Sequence, residues 1–106
     1  MFVDEKTRGE PKPTQVGKAK LSTAIRIGAR KRPQARLAYF ERGASCAFGA
    51  AWEGIGGSYH DPVWGLAGKL MKHFGIAQEV GQAVVRMNDS GESREAIADW
   101  LEAQGY

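Results

Sequence analysis

The side chain best suited to covalent chemistry is the single cysteine, Cys46, which stands where a helix is predicted to begin. The dipole at that end of a helix lowers the pKa of a thiol, and His60 or His73 would supply a base, with Asp61 or Asp89 to orient it. No spacing in the sequence brings these groups together, and a lone cysteine among Ala and Gly usually fills a small place in a core. We therefore predict that the protein is not an enzyme.

Two weaker patterns suggest metal and phosphate chemistry. His60 and His73 have no Glu at helical spacing between them and match no metal motif, and one cysteine provides neither a multi-thiolate zinc site nor an internal disulfide. The glycine-rich stretch at 54–57 follows a predicted helix, whereas a phosphate loop follows a strand and leads directly into a helix. The sequence thus predicts no metal and no cofactor, and the glycines are interpreted as a flexible connector.

The charged residues divide the chain into a basic and an acidic part. Up to Arg42, eleven Lys and Arg stand against four acids, a net of +7; from Gly43 onward four bases stand against eight acids, a net of −4, and the sum is +3. Such a division favours binding to a macromolecule over catalysis. The predicted basic patch is Arg26, Arg30, Lys31, Arg32 and Arg36, extended by Lys12, Lys18 and Lys20 of the N-terminal arm.

This basic patch has three interpretations. It binds an acidic protein surface, or it neutralises the phosphates of a nucleic acid without reading sequence, with Tyr39 and Phe40 nearby for stacking on bases. Alternatively, it pairs with the carboxylate face of the last helix within the fold or across a homo-oligomer, and that face carries Glu95, Asp99 and Glu102. Pairing within the fold would remove the strongest argument for nucleic acid.

Aromatic residues supply candidate anchors for a protein partner. Trp52 and Trp100 are predicted to lie in the core, whereas Trp64 stands at the edge of its helical stripe and is expected to be partly exposed. Exposed Trp beside Tyr59 and His60 has the composition of a binding hot spot. Tyr59 and Trp64 are therefore the predicted anchors.

The elements that position these residues are predicted to form a mostly helical α+β domain over 20–106, preceded by an extended or disordered basic arm at 1–19. With 106 residues and 42% hydrophobic residues, the chain has room for one modest core. No stretch approaches the roughly 18 apolar residues of a membrane span, and the first residues lack the apolar run of a signal peptide. We expect a cytoplasmic protein.

Apolar periodicity predicts five short helices and a minimal β element. The first runs from Leu21 to Lys31, the second follows a Ser45 cap, the third begins at Asp61-Pro62, and Ser93 caps the last. Gly75 is predicted to end the third helix, and the fourth carries Val80 to Met87 and stops at a turn over 88–91. A strand at 37–40 and a turn at 41–44 are predicted to begin a hairpin.

Three stretches, taken in order, resemble a group of small uncharacterised proteins from bacteria, phages and prophages. They are KLSTAIRIGA with RPQ at 20–29 and 32–34, CAFGAA at 46–51, and MND with SREAIADWL at 87–89 and 93–101. Members of that group often carry a Cys-Pro-x-Cys pair before the fourth helix, where this chain has Lys72-His73-Phe74-Gly75, so no metal role is carried over. The resemblance implies a fold and a phage-associated origin.

Together these observations predict a non-catalytic, phage-type accessory protein that binds a protein partner. Inhibition of a host defence or a host enzyme is one form of this role, and a minor component of a phage particle is another. The alternative is a sequence-independent nucleic-acid-binding protein that uses the basic N-terminal half.

Overall fold

In the computed structural model, which describes residues 19–106, five helices and one hairpin follow each other along the chain. They are α1 (Leu21–Ala29), β1 (Phe40–Glu41), β2 (Ala44–Ser45), α2 (Ala47–Gly54), α3 (Leu66–Phe74), α4 (Gln78–Asp89) and α5 (Arg94–Ala103). The prediction of a mostly helical α+β fold with five short helices and a minimal hairpin is confirmed for the described part of the chain. Lys12 and Lys18 of the predicted arm lie outside the described residues.

The core forms where the two small-residue helices, α1 and α2, pack against each other. The apolar stripe of α1, which is Leu21, Ala24, Ile25 and Gly28, is buried. Helix α5 also packs against α1, and its Ile97, Ala98 and Leu101 belong to the same core. A methyl group built on Gly28 would overlap the carbonyl of Ala50. Glycine therefore allows the two helix backbones to touch.

Two helix starts and one helix end test the predicted caps. Ser93 caps α5 as predicted, since its Oγ accepts a hydrogen bond from the Ala96 amide at 3.0 Å. The prediction for α2 was wrong by one residue: Cys46 is the N-cap, and Ser45 belongs to β2. Gly75 ends α3 in a left-handed conformation, as predicted.

The Asp61-Pro62 start signal for α3 was also wrong, because α3 begins only at Leu66. The Asp61 carboxylate instead accepts hydrogen bonds from the Ser58 amide at 2.7 Å and the Trp52 indole at 3.1 Å. A buried indole N–H needs an acceptor. Asp61 therefore holds the connector after α2 against that helix and leaves residues 62–65 as a loop.

The hairpin lies further along the chain than predicted. Phe40 pairs with Ser45 and Glu41 with Ala44, so the turn is Arg42-Gly43, and both residues have positive φ. This is the twist that a two-residue hairpin turn requires. The predicted strand at 37–40 was wrong except for its last residue. Within residues 19–106, the helices are too short and too polar for any of them to cross a bilayer.

Candidate binding surface

The predicted basic patch is divided by pairing within the fold. Arg26 on α1 contacts three carboxylates of α5: Glu95 at 3.0 Å, Asp99 at 2.6 Å and Glu102 at 2.8 Å. The hydrogen bonds that Arg26 donates to Asp99, Glu102 and Glu95 raise its pKa above the ordinary value, so the group stays charged. The basic face of α1 and the acidic face of α5 therefore meet.

Arg32 is also engaged within the protein. Its Nε and Nη2 donate to the two carboxylate oxygens of Glu53 at 2.7 and 2.9 Å, and its guanidinium lies 4.2 Å from the centroid of the Tyr59 ring. Glu53 is buried, and the hydrogen bonds that its carboxylate accepts from Arg32 raise the pKa of Arg32. Tyr59 in turn accepts a hydrogen bond from the Gly43 amide at 2.7 Å and packs edge-on against Phe40. This cluster fastens the hairpin to α2.

Among the residues that the structure describes, the rest of the predicted patch has no carboxylate at ion-pairing distance. Arg30, Lys31, Arg36 and Lys20 are exposed. The second predicted anchor, Trp64, lies in the loop before α3 with 90% of its surface exposed, as expected from its place at the edge of the stripe. Tyr59, by contrast, is half-buried in the cluster with Arg32.

One apolar concavity of the described residues was not predicted from the sequence. It is a groove of about 390 Å³ between α4 and the segment that precedes the hairpin, and we call it the Leu37 groove. Two of the four large hydrophobic side chains that are exposed in residues 19–106 lie on it: Leu37, 85% exposed, and Val85, 39% exposed. Its remaining lining is Ala38, Tyr39, Cys46, Ala47, Phe48, Val84, Asn88 and Asp89.

Leu37 has an unfavourable backbone conformation. Its φ is +63°, in the left-handed region that costs an L-residue with a side chain about 1–2 kcal/mol. The Leu37 amide donates to Asp89 Oδ1 at 2.9 Å, and this bond holds the conformation. Since the side chain is almost fully exposed, packing against the protein does not offset that cost. Such an outlier is a reason to look for function.

Asn88 holds the segments that line the groove in place through side-chain hydrogen bonds. Its Oδ1 accepts from the Ala47 amide at 3.0 Å and from Gln34 Nε2 at 2.9 Å, and its Nδ2 donates to the Ala35 carbonyl at 2.9 Å. The interpretation of Asn88 as a local turn residue was wrong, because it lies in the last turn of α4, buried, and joins residues more than 40 positions away. It fixes both α2 and the segment that carries Leu37.

Arg94 is a buried cation that the sequence interpretation missed. Its Nη1 donates to Ser45 Oγ at 2.9 Å and to the Ser45 carbonyl at 3.2 Å, and its Nη2 donates to the Arg32 carbonyl at 2.7 Å. Desolvation lowers the pKa of the group from its usual value. One signal was available: a base in the first turn of a helix opposes the dipole, so an arginine directly after the Ser93 cap indicates a partner elsewhere.

Cys46 lies in the wall of the groove, but its environment suppresses thiolate chemistry. The side chain is buried, and this burial raises the pKa of the thiol even though Sγ accepts from the Gly49 amide at 3.4 Å. The expected lowering by the helix dipole was therefore wrong. No histidine lines the groove in the part of the chain that the structure describes: His60 stacks edge-on with Tyr59, and His73 contacts Phe74.

Cys46 should therefore react slowly with iodoacetamide at pH 7. We expect the folded protein to be alkylated about 100-fold more slowly than the urea-unfolded chain, because the neutral, buried thiol must be both exposed and ionised before it attacks. Mass spectrometry at timed intervals measures both rates. Alkylation of the folded protein at the rate of the unfolded chain or faster would restore the nucleophile hypothesis.

Comparison of this chain with protein-family models, with curated proteins and with solved structures found no match. The resemblance to small phage and prophage proteins therefore stays a prediction.

Proposed function

We propose that this protein is a non-catalytic binding domain that holds a protein partner in the Leu37 groove. One observation carries the proposal: the leucine at position 37 is 85% exposed and has a backbone conformation that glycine would adopt at lower cost. A large apolar side chain that costs stability and gains no packing within its own fold is explained by contact with another molecule.

The surroundings of Leu37 support a protein ligand. The groove is lined mainly by aliphatic and aromatic side chains, and Asn88 and Asp89 hold its walls in place through hydrogen bonds. A preformed apolar groove with an exposed leucine at its rim suits insertion of a partner's side chains at little ordering cost. The pairing of Arg26 and Arg32 with carboxylates removes two of the eight named bases on which the nucleic-acid alternative depended.

The biological setting of this role is also a proposal. The resemblance of residues 20–106 to phage and prophage proteins is what supports a phage-type accessory protein. Such a protein would act in the cytoplasm of the bacterial host or as a minor part of the particle, and inhibition of a host defence or a host enzyme would follow from occupying the partner's surface. Trp64 is a second candidate anchor, because it is 90% exposed.

Replacing Leu37 by glycine should separate binding from stability. We expect Leu37→Gly to leave the free energy of unfolding unchanged or to raise it by up to about 1 kcal/mol, because relief of the left-handed strain offsets the greater freedom of the unfolded chain. Partner affinity should fall about tenfold or more, the usual loss on removing an interface anchor. Leu37→Ala loses the same side chain but keeps the strain, so it should bind as weakly and be less stable than the glycine variant.

The partner is first captured by placing a photo-crosslinking benzoylphenylalanine at Leu37, with the same residue at exposed Ala103 on α5 as the control. The proposal expects a protein that cross-links from position 37 and not from position 103. The affinity of that purified protein for the wild type and for the two Leu37 variants is then measured by calorimetry. Equal affinity for wild type and Leu37→Gly would contradict the proposal.

A further inference from the structure

A second concavity is lined in part by the residues that directly precede Leu37. It measures about 530 Å³, and its lining consists of the segment before the hairpin and the hairpin itself: Gln34, Ala35, Arg36, Glu41, Arg42 and Ala44. Arg36 directly precedes Leu37 in the chain, so one short segment separates a cationic concavity from the apolar groove. A ligand that crosses this segment meets both surfaces.

The two arginines of this concavity are available to a ligand. Both are exposed, and within residues 19–106 neither has a carboxylate at ion-pairing distance, whereas Arg26 and Arg32 are paired. Arg42 also has an unfavourable backbone, with φ at +51° in the hairpin turn, where asparagine or glycine is usual. Like Leu37, it is a side chain that the fold presents at a conformational cost and does not pack in its core.

We propose that Arg36 and Arg42 bind carboxylates of the partner, so that the partner segment in the Leu37 groove carries acidic residues next to an apolar one. This inference rests on the proposed function and names the chemical class of its partner: a protein segment with Asp or Glu within a few residues of a Leu, Phe or Met. A guanidinium binds a carboxylate through two parallel hydrogen bonds. An extended segment of about six residues spans roughly 20 Å, and Arg36 and Leu37, which line the two concavities, are consecutive in the chain.

The same lining disfavours a phosphate backbone as the ligand. The residues that line the concavity include two arginines and one glutamate, a net charge of only +1. A nucleic acid presents one phosphate after another and needs a continuous basic surface. A short segment with one or two carboxylates beside an apolar side chain suits one weakly cationic concavity next to one apolar groove.

The test uses three fluorescein-labelled peptides of eight residues and the full-length protein, with fluorescence anisotropy as the readout. The first peptide is Gly-Glu-Leu-Glu-Glu-Phe-Glu-Gly; the second has Gln for every Glu, and the third has Ala for Leu and Phe. We expect the first to bind about tenfold more tightly than either of the others, since two partly exposed charge pairs and one apolar anchor each contribute on that scale. A 12-nucleotide single strand of DNA is titrated in parallel.

Matched variants show whether the site is local. Arg36→Gln with Arg42→Gln should weaken binding of the first peptide about tenfold, while Lys69→Gln with Lys72→Gln on α3, which removes the same charge elsewhere, should change it less than twofold. An equal loss in both double variants, tighter binding of the DNA, or no binding of the first peptide would overturn the proposal.

If Leu37→Gly weakens binding and Arg36→Gln with Arg42→Gln does not, the carboxylate site fails and the proposed function stands. If Leu37→Gly leaves the first peptide unaffected, the proposed function fails.

Discussion

Replacing Gly28 by alanine is expected to destabilise the protein by about 3 kcal/mol, because the new methyl group would overlap the carbonyl of Ala50 and force α1 and α2 apart. The overlap is with backbone, which cannot turn aside as a flexible side chain can. The interface between α1 and α2 is the most extensive contact between elements in the described part of the chain, so the core as a whole must adjust. The free energy of unfolding from urea titration, followed by Trp fluorescence, measures the effect.

Gly68→Ala is the matched control. Gly68 lies within α3, is exposed and has open space around its Cα, so alanine there should raise the free energy of unfolding by about 0.5–1 kcal/mol through helix propensity alone. The same substitution is thus expected to lower the free energy of unfolding at position 28 and to raise it at position 68. Similar effects of the two changes would contradict the close approach of α1 and α2.

Replacing Asn88 by alanine should lower the free energy of unfolding by about 3 kcal/mol, an effect of the same size as that of Gly28→Ala. The change leaves the buried Ala47 amide without its acceptor and the Ala35 carbonyl without its donor, and each unsatisfied group costs about 1–3 kcal/mol. Hydrogen exchange of the Ala47 amide should accelerate more than exchange in the middle of α5, because the bond lost is that amide's own.

Gln82→Ala on the same helix is the comparison for Asn88. Gln82 is exposed, and the change should stay within about 0.5 kcal/mol of wild type. If both variants were equally stable, Asn88 would not hold the groove walls. A stable Asn88→Ala protein whose Leu37 amide still exchanges slowly would contradict the same inference in a second way.

Local periodicity was sufficient to predict the helices. The stripe of Leu21, Ala24, Ile25 and Gly28 is set by residues within two turns of each other, and the structure buries all four. The hairpin was misplaced because the turn at Arg42-Gly43 needs a left-handed arginine, which propensity disfavours. Asp61 was misassigned because its acceptor role depends on Trp52, which the pattern of a helix cap does not include.

The candidate site was less predictable because it depends on contacts between distant residues. Pairing between the charged faces of α1 and α5 was one of three interpretations of the sequence. The sequence alone could not select it, because Arg26 and Asp99 are 73 positions apart. The Leu37 groove is assembled from the segment before the hairpin, α2 and α4, and only the packing of these elements creates it. Leu37 itself looked like part of a strand until its backbone conformation was known.

Arg94 joins elements that are far apart in the chain, and this has a consequence for folding and for unfolding. One guanidinium joins the start of α5 to β2 and to the segment after α1, over separations of 49 and 62 residues. Such contacts close long loops and form late, after the helices have met. Once formed, they join the hairpin to α5, and since the departure of either element breaks both hydrogen bonds between Arg94 and Ser45, we expect the two to separate together. The surface beside the Leu37 groove therefore belongs to the same cooperative unit as the carboxy-terminal helix.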